Sequence, residues 1–295
     1  MTKKNFDILH FLSDTKGSAT QREIAAATNM SVGTVNKLMA ELTAKGLVKD
    51  GKITPAGSEA LEPYRVRRAI FIAAGFGSRM VPVTLNTPKP LVRVKGERII
   101  DSLLDAVVAA GIEEIYLVRG YLGEQFDQLL YKYPNIKFIE NPLYNQANNI
   151  SSVLKAKDAL TENTYIFEAD ILLYNKKLIT KYQYSSNYLG VPVKTTDDWC
   201  LYTENGKITK VAVGGTDCYQ MYGISYWSKA DAKKLQDDVE AVYTSPGGKE
   251  RYWDQVPLDF KKENYSLSVR ECTFNDIIEI DSFNELKKLD SSYNV

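Results

Sequence analysis

A glycine-rich loop followed by a proline-flanked lysine is the part of the sequence with the clearest chemical potential. The apolar run of residues 69–73 leads directly into Gly75-Phe76-Gly77-Ser78-Arg79, and Lys89 follows between two prolines. Glycines let backbone N–H groups approach an anion closely, and successive N–H groups in such a loop form a nest for phosphate oxygens. Arg79 adds a fixed positive charge, and the prolines stiffen the loop that holds Lys89. This combination predicts a phosphate-binding site.

Two carboxylates end a strand-like segment later in the chain. Tyr165-Ile166-Phe167 is followed by Glu168 and Asp170, which stand two residues apart and therefore point to the same side of a strand. A hard cation such as Mg²⁺ takes one or two carboxylates together with phosphate oxygens and waters. An acidic strand end in solvent has the same pattern, so the spacing alone leaves both interpretations open.

Aromatic residues with acidic neighbours form a third candidate group. Trp199 follows Asp198, and Tyr252-Trp253 precede Asp254. A quaternary ammonium cannot be hydrogen-bonded, so it is recognised by aromatic faces with carboxylates nearby. These five residues have that chemistry. Burial in the core is the commoner fate of large rings, and the composition by itself favours it.

Alternating segments after residue 68 indicate how these groups are positioned. Strands are predicted at residues 69–73, 114–118, 136–139 and 165–167, and helices at residues 99–110, 125–131 and 151–160. This alternation predicts an α/β domain with a doubly wound, mostly parallel, Rossmann-like sheet. Ligands of such sheets bind at the carboxyl ends of the strands. The glycine loop, Gly120-Tyr121 and the Glu168–Asp170 segment all fall there.

The first 62 residues have a different pattern, typical of a winged helix-turn-helix. Thr20 and Glu23 form a capping box at the start of a helix, and Ser31 can cap a third helix that ends near Gly46. Asp50-Gly51 then separates two short strand-like segments, which is a strong hairpin signal. We therefore expect a winged-helix domain over residues 1–62, a proline-containing linker over residues 63–68, and the α/β domain over residues 69–295.

Residues 3–62 resemble the winged helix-turn-helix domains of bacterial regulators. The resemblance implies that the third helix presents Ser31, Thr34, Asn36 and Lys37 to the major groove, with Lys49 and Lys52 near phosphates. Residues 1–68 carry 11 lysines and arginines against 7 aspartates and glutamates, within a chain whose net charge is zero. Because this excess is modest, DNA binding and a purely protein–protein or dimerisation role both stay open.

The composition excludes several other classes of protein. The chain of 295 residues has one histidine, His10, and three scattered cysteines. A Ser–His or Cys–His enzyme, a histidine-ligated metal, a zinc site and a disulfide framework are therefore not expected. No apolar run approaches the ~18 residues that span a bilayer, and the N-terminus lacks a secretory apolar segment. We expect a cytoplasmic protein with no membrane partner.

The segment Ile72-Ala73-Ala74-Gly75-Phe76-Gly77-Ser78-Arg79, followed by Pro88-Lys89, is similar to the signature of a known family. These are the nucleotidyltransferases that activate sugar phosphates or small phospho-alcohols with an NTP. Within them, residues 69–290 most resemble the bacterial choline-phosphate cytidylyltransferases. The chain lacks the Gly-Lys-[Ser/Thr] of a P-loop and the third glycine of the dinucleotide fingerprint.

The resemblance implies a Mg²⁺-dependent reaction in which CTP and phosphocholine give CDP-choline and pyrophosphate. It implies that Arg79 and Lys89 are the catalytic cations and that Asp170 and Asp281 hold the metal, with the role of Glu168 left open. It places the nucleotide at Ala73, Ala74, Gly75, Phe76, Gly77, Ser78, Gly120, Tyr121, Asn148 and Asn149. It places choline at Asp198, Trp199, Tyr252, Trp253 and Asp254.

Other functions fit the same residues. Aminoethylphosphonate or phosphoethanolamine would offer a primary ammonium in the same pocket, and a sugar 1-phosphate is a further candidate acceptor. The tryptophans favour an amino-alcohol over a sugar. A DNA-binding regulator whose C-terminal domain senses the ligand is the alternative from another class, and the intact loop, lysine and aspartates argue against it.

Overall fold

The chain folds into two compact units. The computed structural model describes residues 1–15 and 17–294. One unit comprises Met1–Arg65 with Tyr182–Tyr184, and the other comprises Val66–Lys181 with Ser185–Val295. The division falls inside residues 63–68, the segment expected to be a linker. Val66 is buried and its N–H donates to the carbonyl of Lys181 at 2.8 Å, so the second unit begins before residue 69.

The first unit has the predicted order of helices followed by a hairpin. Its elements are α1 (Lys3–Asp14), α2 (Gln21–Thr28), α3 (Val32–Ala44), β1 (Val48–Lys49), β2 (Lys52–Ile53) and α4 (Pro55–Leu61). The capping box is confirmed, because Thr20 Oγ1 accepts from the N–H of Glu23 and Glu23 accepts from the N–H of Thr20. Asp50 and Gly51 both have positive φ, as a tight hairpin turn requires. Helix α4, capped by Thr54, was not predicted.

A short segment distant in sequence completes the core of this first unit. Tyr182 is buried within its hydrophobic cluster, and the ring of Tyr184 stacks on Tyr64 with centroids 5.4 Å apart. The N–H of Gln183 donates to the carbonyl of Tyr64 at 2.9 Å. Local sequence patterns do not reveal such a contribution, because more than one hundred residues separate the partners.

The second unit contains a mixed sheet with helices on both faces. Its elements are β3 (Arg68–Ala73), β4 (Arg93–Val94), β5 (Glu97–Arg98), α5 (Ile99–Ala109), β6 (Glu114–Arg119), β7 (Ile136–Glu140), α6 (Ile150–Lys155), β8 (Thr164–Glu168), β9 (Ile171–Leu173), β10 (Asn187–Glu204), β11 (Lys207–Trp227), α7 (Lys229–Thr244), β12 (Ser268–Glu271), β13 (Ile277–Glu279) and α8 (Phe283–Leu289). The seven-stranded sheet has the order β12-β10-β11-β8-β3-β6-β7.

Most neighbouring strands of this sheet are parallel, as predicted. Strand β3 pairs in parallel with β6 and β8, β6 with β7, and β10 with β12, whereas β11 is antiparallel to both β8 and β10. The predicted helix at residues 125–131 is a 3-10 helix over Gly123–Tyr131. The predicted helix at residues 151–160 is divided into α6 and a 3-10 turn over Lys157–Ala159.

The central strand β3 separates the two halves of the core. Phe71 stacks on Phe167 with centroids 4.7 Å apart, in the same hydrophobic cluster as α5. Ile70 and Ile166 face the other cluster, which contains α6, α7 and two tryptophans. Register places Ile72 opposite Glu168 and Ala73 opposite Arg119. The ends of three strands therefore meet at one edge of the sheet.

Among residues 1–15 and 17–294, no helix is both long enough and apolar enough to span a membrane.

Phe71→Ala should lower the free energy of unfolding of the second unit by about 3–5 kcal/mol, because it leaves a cavity beside Phe167. The measurement is urea denaturation followed by tryptophan fluorescence, since all three tryptophans lie in this unit. Tyr131→Ala is the control, because Tyr131 is 96% exposed, and its effect should stay within about 0.5 kcal/mol. A loss below about 1 kcal/mol for Phe71→Ala would contradict this account of the core.

Candidate active site

One cavity of about 600 Å³ opens at the edge where β3 and β8 end. Its volume lies within the range of small-molecule sites. Its wall combines the glycine loop, Lys89, the carboxylates and two aromatic rings. The predicted residues that line it are Ala73, Gly75, Gly77, Ser78, Arg79, Lys89, Asn148, Asn149, Asp170, Asp198, Trp199, Tyr252, Asp254 and Asp281. Groups from distant parts of the chain thus share one space.

The glycine loop has the backbone geometry that its sequence requires. Gly77 has a φ of 62°, and a Cβ at this position would lie 2.9 Å from the Cβ of Lys89. A Cβ on Gly75 would meet no atom of residues 1–15 or 17–294 within 4 Å. The loop therefore packs closely against the lysine segment at Gly77 and leaves open space at Gly75. Room beside exposed backbone is what a phosphate-binding nest needs.

Lys89 lies between two carboxylates. Its Nζ is 2.7 Å from Asp170 Oδ2 and 3.0 Å from Asp281 Oδ1, and its side chain is 10% exposed. Burial by itself would lower the pKa of Lys89, but the charges and hydrogen bonds of Asp170 and Asp281 outweigh it and raise the pKa. Lys89 is therefore protonated at neutral pH. Arg79 Nη2 lies 2.8 Å from Asp281 Oδ1, and the arginine side chain is mostly in solvent.

Pairing of β13 with β9 brings a second pair of acidic residues to the site. Glu279 lies opposite Ile171, and the N–H of Ile280 donates to the carbonyl of Asp170 at 3.1 Å. Glu168, Asp170 and Glu279 each place one carboxylate oxygen within 4.8 Å of an oxygen of the other two. Asp170 Oδ1 is buried and has no hydrogen-bond partner among the described residues.

This carboxylate cluster suits a hard divalent cation, but its membership differs from the predicted pair. The prediction named Asp170 and Asp281, whereas Glu168 and Glu279 are the acidic groups clustered with Asp170. Asp281 instead accepts from Lys89 and Arg79. Glu279 was missed, although Glu279-Ile280-Asp281 repeats the spacing of Glu168-Ala169-Asp170.

Burial makes the acidic side of the cavity easier to protonate. It raises the pKa of Glu168, and the nearby Asp254 and Asp170 charges raise it further. It likewise raises the pKa of Glu279, with added repulsion from Asp170. Desolvation and like charge both disfavour an ionised carboxyl. A bound cation would reverse this effect and favour the ionised forms.

Two of the three predicted aromatic residues face the cavity. Trp199 and Tyr252 meet edge to face with centroids 5.6 Å apart. Asp198 accepts from the N–H of Trp199 at 2.7 Å, and burial raises its pKa. Asp254 is buried in the wall and accepts from Tyr188 Oη at 2.9 Å, and burial raises its pKa to about 7.

Trp253 does not line the cavity, which corrects the prediction that it contacts choline. Its side chain is fully buried and packs between Tyr188 and Trp227, at centroid distances of 6.2 and 6.0 Å. Its neighbours Tyr252 and Asp254 reach the cavity instead. A large apolar ring gains more from the core than from a polar wall, so the ring lies inside the fold.

Four predicted nucleotide-binding residues also lie outside the cavity lining. Ala74 is buried, and a Cβ on Gly120 would come within 2.8 Å of the ring of Tyr144. Phe76 and Tyr121 contact each other with centroids 5.1 Å apart. Tyr121 Oη donates to the carbonyl of Thr84 at 3.0 Å. Phe76 is 45% exposed, so its ring lies at the surface of the loop beside Tyr121, outside the lining of the cavity.

Asn149 connects two sides of the cavity. Its Nδ2 donates to Glu168 Oε1 at 3.0 Å, and its Oδ1 accepts from the N–H of Trp253 at 2.9 Å. The neighbouring Asn148 bonds the backbone of Lys249 and Glu250. The segment that carries Tyr252 and Asp254 is therefore tied to the end of β8.

Comparisons with known proteins agree with this architecture. Residues 69–215 match the MobA-like NTP transferase domain family, and residues 1–52 match the MarR family. The chain is 39% identical to the 2-aminoethylphosphonate cytidylyltransferase of Lancefieldella rimae, over 76% of this chain and 92% of that protein. It is 32% identical to the choline-phosphate cytidylyltransferase of Streptococcus pneumoniae, over 76% of this chain and 96% of that protein.

Solved structures support the same assignment. The CTP:phosphocholine cytidylyltransferase from Streptococcus pneumoniae superposes with a TM-score of 0.71 at 32% identity, covering 77% of this chain and 99% of that chain. A UDP-glucose pyrophosphorylase shares the fold at 14% identity, with a TM-score of 0.62 over 78% of this chain and 98% of that chain. The chain therefore belongs to the cytidylyltransferases of the NTP transferase family, and it carries a MarR-family winged helix at its N-terminus.

Proposed function

We propose that the protein transfers a cytidylyl group from CTP to a small amine that carries a phosphonate or phosphate, with 2-aminoethylphosphonate as the acceptor. The observation that carries this proposal is a shared cavity, in which a phosphate-binding loop and Lys89 lie with buried carboxylates. The loop and cations suit the triphosphate and the acceptor anion. The carboxylates and aromatic rings suit an ammonium group.

The chemistry needs positioning and charge stabilisation more than proton transfer. An oxygen of the acceptor attacks the α-phosphorus of CTP and forms a P–O bond, while the bond to the β-phosphate oxygen breaks and pyrophosphate leaves. The acceptor is already an anion at neutral pH, so no general base is required. The Gly75–Ser78 backbone would bind the triphosphate, and Arg79 and Lys89 would stabilise the charge that develops on the oxygens.

A divalent cation such as Mg²⁺ fits the acidic side of the cavity. Glu168, Asp170 and Glu279 supply hard carboxylate oxygens. One of these residues, Asp170, has a buried oxygen, Oδ1, that accepts no hydrogen bond from the described residues. When bound, the cation would supply positive charge against the phosphate oxygens. Asp281, without ligands bound, holds Arg79 and Lys89 beside this site.

The wall of the cavity favours a primary over a quaternary ammonium. Because Trp253 lies in the core, the cavity wall has two aromatic rings, those of Trp199 and Tyr252. A quaternary ammonium is bound more tightly when several aromatic faces surround it. Asp254 and Asp198 offer carboxylates that can accept hydrogen bonds from a primary ammonium. The relative with 39% identity is named for aminoethylphosphonate, and those with 32% and 29% identity are named for choline phosphate. Phosphocholine stays the second candidate because the two rings meet edge to face in the wall.

Pyrophosphate release with CTP should be fastest with 2-aminoethylphosphonate. We expect its kcat/KM to exceed that of phosphocholine by at least about tenfold, since the carboxylates lose their hydrogen bonds to a quaternary ammonium. Phosphoethanolamine and glucose 1-phosphate complete the panel. Lys89→Ala is the inactive control, with kcat reduced about 100-fold or more.

Two outcomes of this screen would contradict the proposal. A tenfold preference for phosphocholine would transfer the assignment to the second candidate. If no pyrophosphate is released with any of the three amines, the proposed class of acceptor is wrong.

The KM for the amine acceptor should depend on pH through Asp254. Because the pKa of this carboxyl is raised to about 7, it is neutral below that pH and attracts an ammonium only above it. Lowering the pH from 8 to 6 should therefore raise the KM about tenfold beyond any change from titration of the acceptor itself. Asp254→Asn should make this dependence clearly weaker, because the titration of the acceptor and of the neighbouring carboxyl groups is then all that is left. Asp259→Asn, an exposed carboxylate nearby, is the control. An unchanged pH profile in Asp254→Asn would exclude this role.

We also infer that the winged helix binds DNA. Asn36 and Lys37 are exposed on α3, and Lys49 and Lys52 are exposed on the hairpin, as a major-groove helix and a wing require. The hydroxyls of Ser31 and Thr34 are engaged with each other at 2.9 Å at the start of the helix. We therefore assign base contacts to Asn36 and phosphate contacts to the lysines.

Lys37→Ala should weaken binding of the full chain to a duplex from its own promoter by about fivefold or more. The measurement is fluorescence anisotropy over a salt series, in which the slope of log affinity against log salt should become shallower. Lys262→Ala, an exposed lysine of the second unit, should bind as the unmodified chain does. Salt-independent binding, or no binding at low salt, would favour the dimerisation role.

A further inference from the structure

Lys89 occupies the position of a cation within its own carboxylates. Its Nζ contacts Asp170 Oδ2 at 2.7 Å and Asp281 Oδ1 at 3.0 Å, and its side chain is almost wholly enclosed. Arg79 adds a second positive group to Asp281 at 2.8 Å. The two aspartates are thus already neutralised by side chains of the protein.

Asp170 belongs to two groups of atoms at once. Through Oδ2 it binds Lys89, and it is also a member of the acidic cluster with Glu168 and Glu279. Its other oxygen, Oδ1, is buried and has no hydrogen-bond partner in the described part of the chain. A divalent cation bound to this cluster would therefore lie close to the ammonium of Lys89. Two like charges in so enclosed a space repel each other strongly.

We propose that Lys89 is a built-in counter-ion that keeps divalent cations off Asp170 until a polyphosphate draws the lysine away. In the free protein the ammonium neutralises Asp170 and Asp281, so affinity for a metal is low. When a triphosphate enters, its oxygens compete with the aspartates for Lys89 and Arg79. The carboxylates are then free to bind a cation beside the phosphates.

This inference rests on the proposed function, because it assigns the order in which that reaction's ligands bind. It implies that the metal enters with the nucleotide or after it. The same lysine would then serve twice, first as the occupant of the acidic site and then as the cation beside the reacting phosphates. Such an exchange protects the acidic cluster from binding metal without substrate.

The test measures Mn²⁺ affinity of the full chain without nucleotide or acceptor, by the electron paramagnetic resonance signal of free Mn²⁺. Lys89→Gln and Lys89→Met should each bind Mn²⁺ at least ~10-fold more tightly than the unmodified protein, because a charge within hydrogen-bonding distance of Asp170 is removed. The glutamine could itself bind Mn²⁺ through its amide oxygen, whereas the methionine only removes the charge, so the two variants distinguish these effects. Lys194→Gln is the control, since that lysine is 94% exposed and pairs with Asp217.

A second substitution locates the gain in affinity. Adding Asp170→Asn to Lys89→Gln should abolish the gain. The proposal is overturned if the folded Lys89 variants bind Mn²⁺ no more tightly than the unmodified protein, or if the gain survives Asp170→Asn. Thermal unfolding followed by tryptophan fluorescence identifies the variants that are folded.

The outcome is independent of the transfer assay. If no acceptor supports pyrophosphate release but the Lys89 variants gain Mn²⁺ affinity, the reaction is wrong and the counter-ion role stands. If release is observed and the variants gain nothing, the reaction stands and the counter-ion role falls.

Discussion

The pairing of β13 with β9 creates the electrostatic problem around which the site is organised. It places Glu279 and Asp281 beside Glu168 and Asp170, although more than one hundred residues separate the two pairs in sequence. Four carboxyl groups in one partly enclosed space are unfavourable unless positive charge lies among them. Lys89, which binds Asp170 and Asp281 directly, supplies that charge.

The glycine loop and the lysine segment depend on the same arrangement. A Cβ at Gly77 would lie 2.9 Å from the Cβ of Lys89, so the lack of a side chain there lets the loop pack against the lysine segment. Phe76, within the loop, contacts the ring of Tyr121, which follows β6. The two contacts of Lys89 with Asp170 and Asp281 thus link the phosphate loop to both acidic strand ends. A zero net charge for the whole chain conceals this concentration of opposite charges.

Much of the architecture could be predicted because its signals are local. The buried run before Gly75 predicted the central strand, and the alternation after it predicted a mostly parallel sheet. Thr20 with Glu23 and the Asp50-Gly51 turn predicted the winged helix, because caps and tight turns depend on a few adjacent residues. Helix α4 and the contribution of Tyr182 were missed. Helix α4 has only seven residues, too few for a clear helical pattern, and Tyr182 reaches the first unit from a segment distant in sequence.

The sequence by itself determined the kinds of groups at the site: a phosphate-binding loop, a constrained lysine, paired carboxylates and aromatic residues beside acids. Spacing along one strand or loop is enough for that, since side-chain direction follows local geometry. Only the tertiary structure decided which of these groups meet. It turned Trp253 into the core, brought Glu279 to Asp170, and left Asp281 bound to Lys89 and Arg79. These outcomes depend on packing and pairing between distant segments, where competition for buried space and for opposite charge selects the partners.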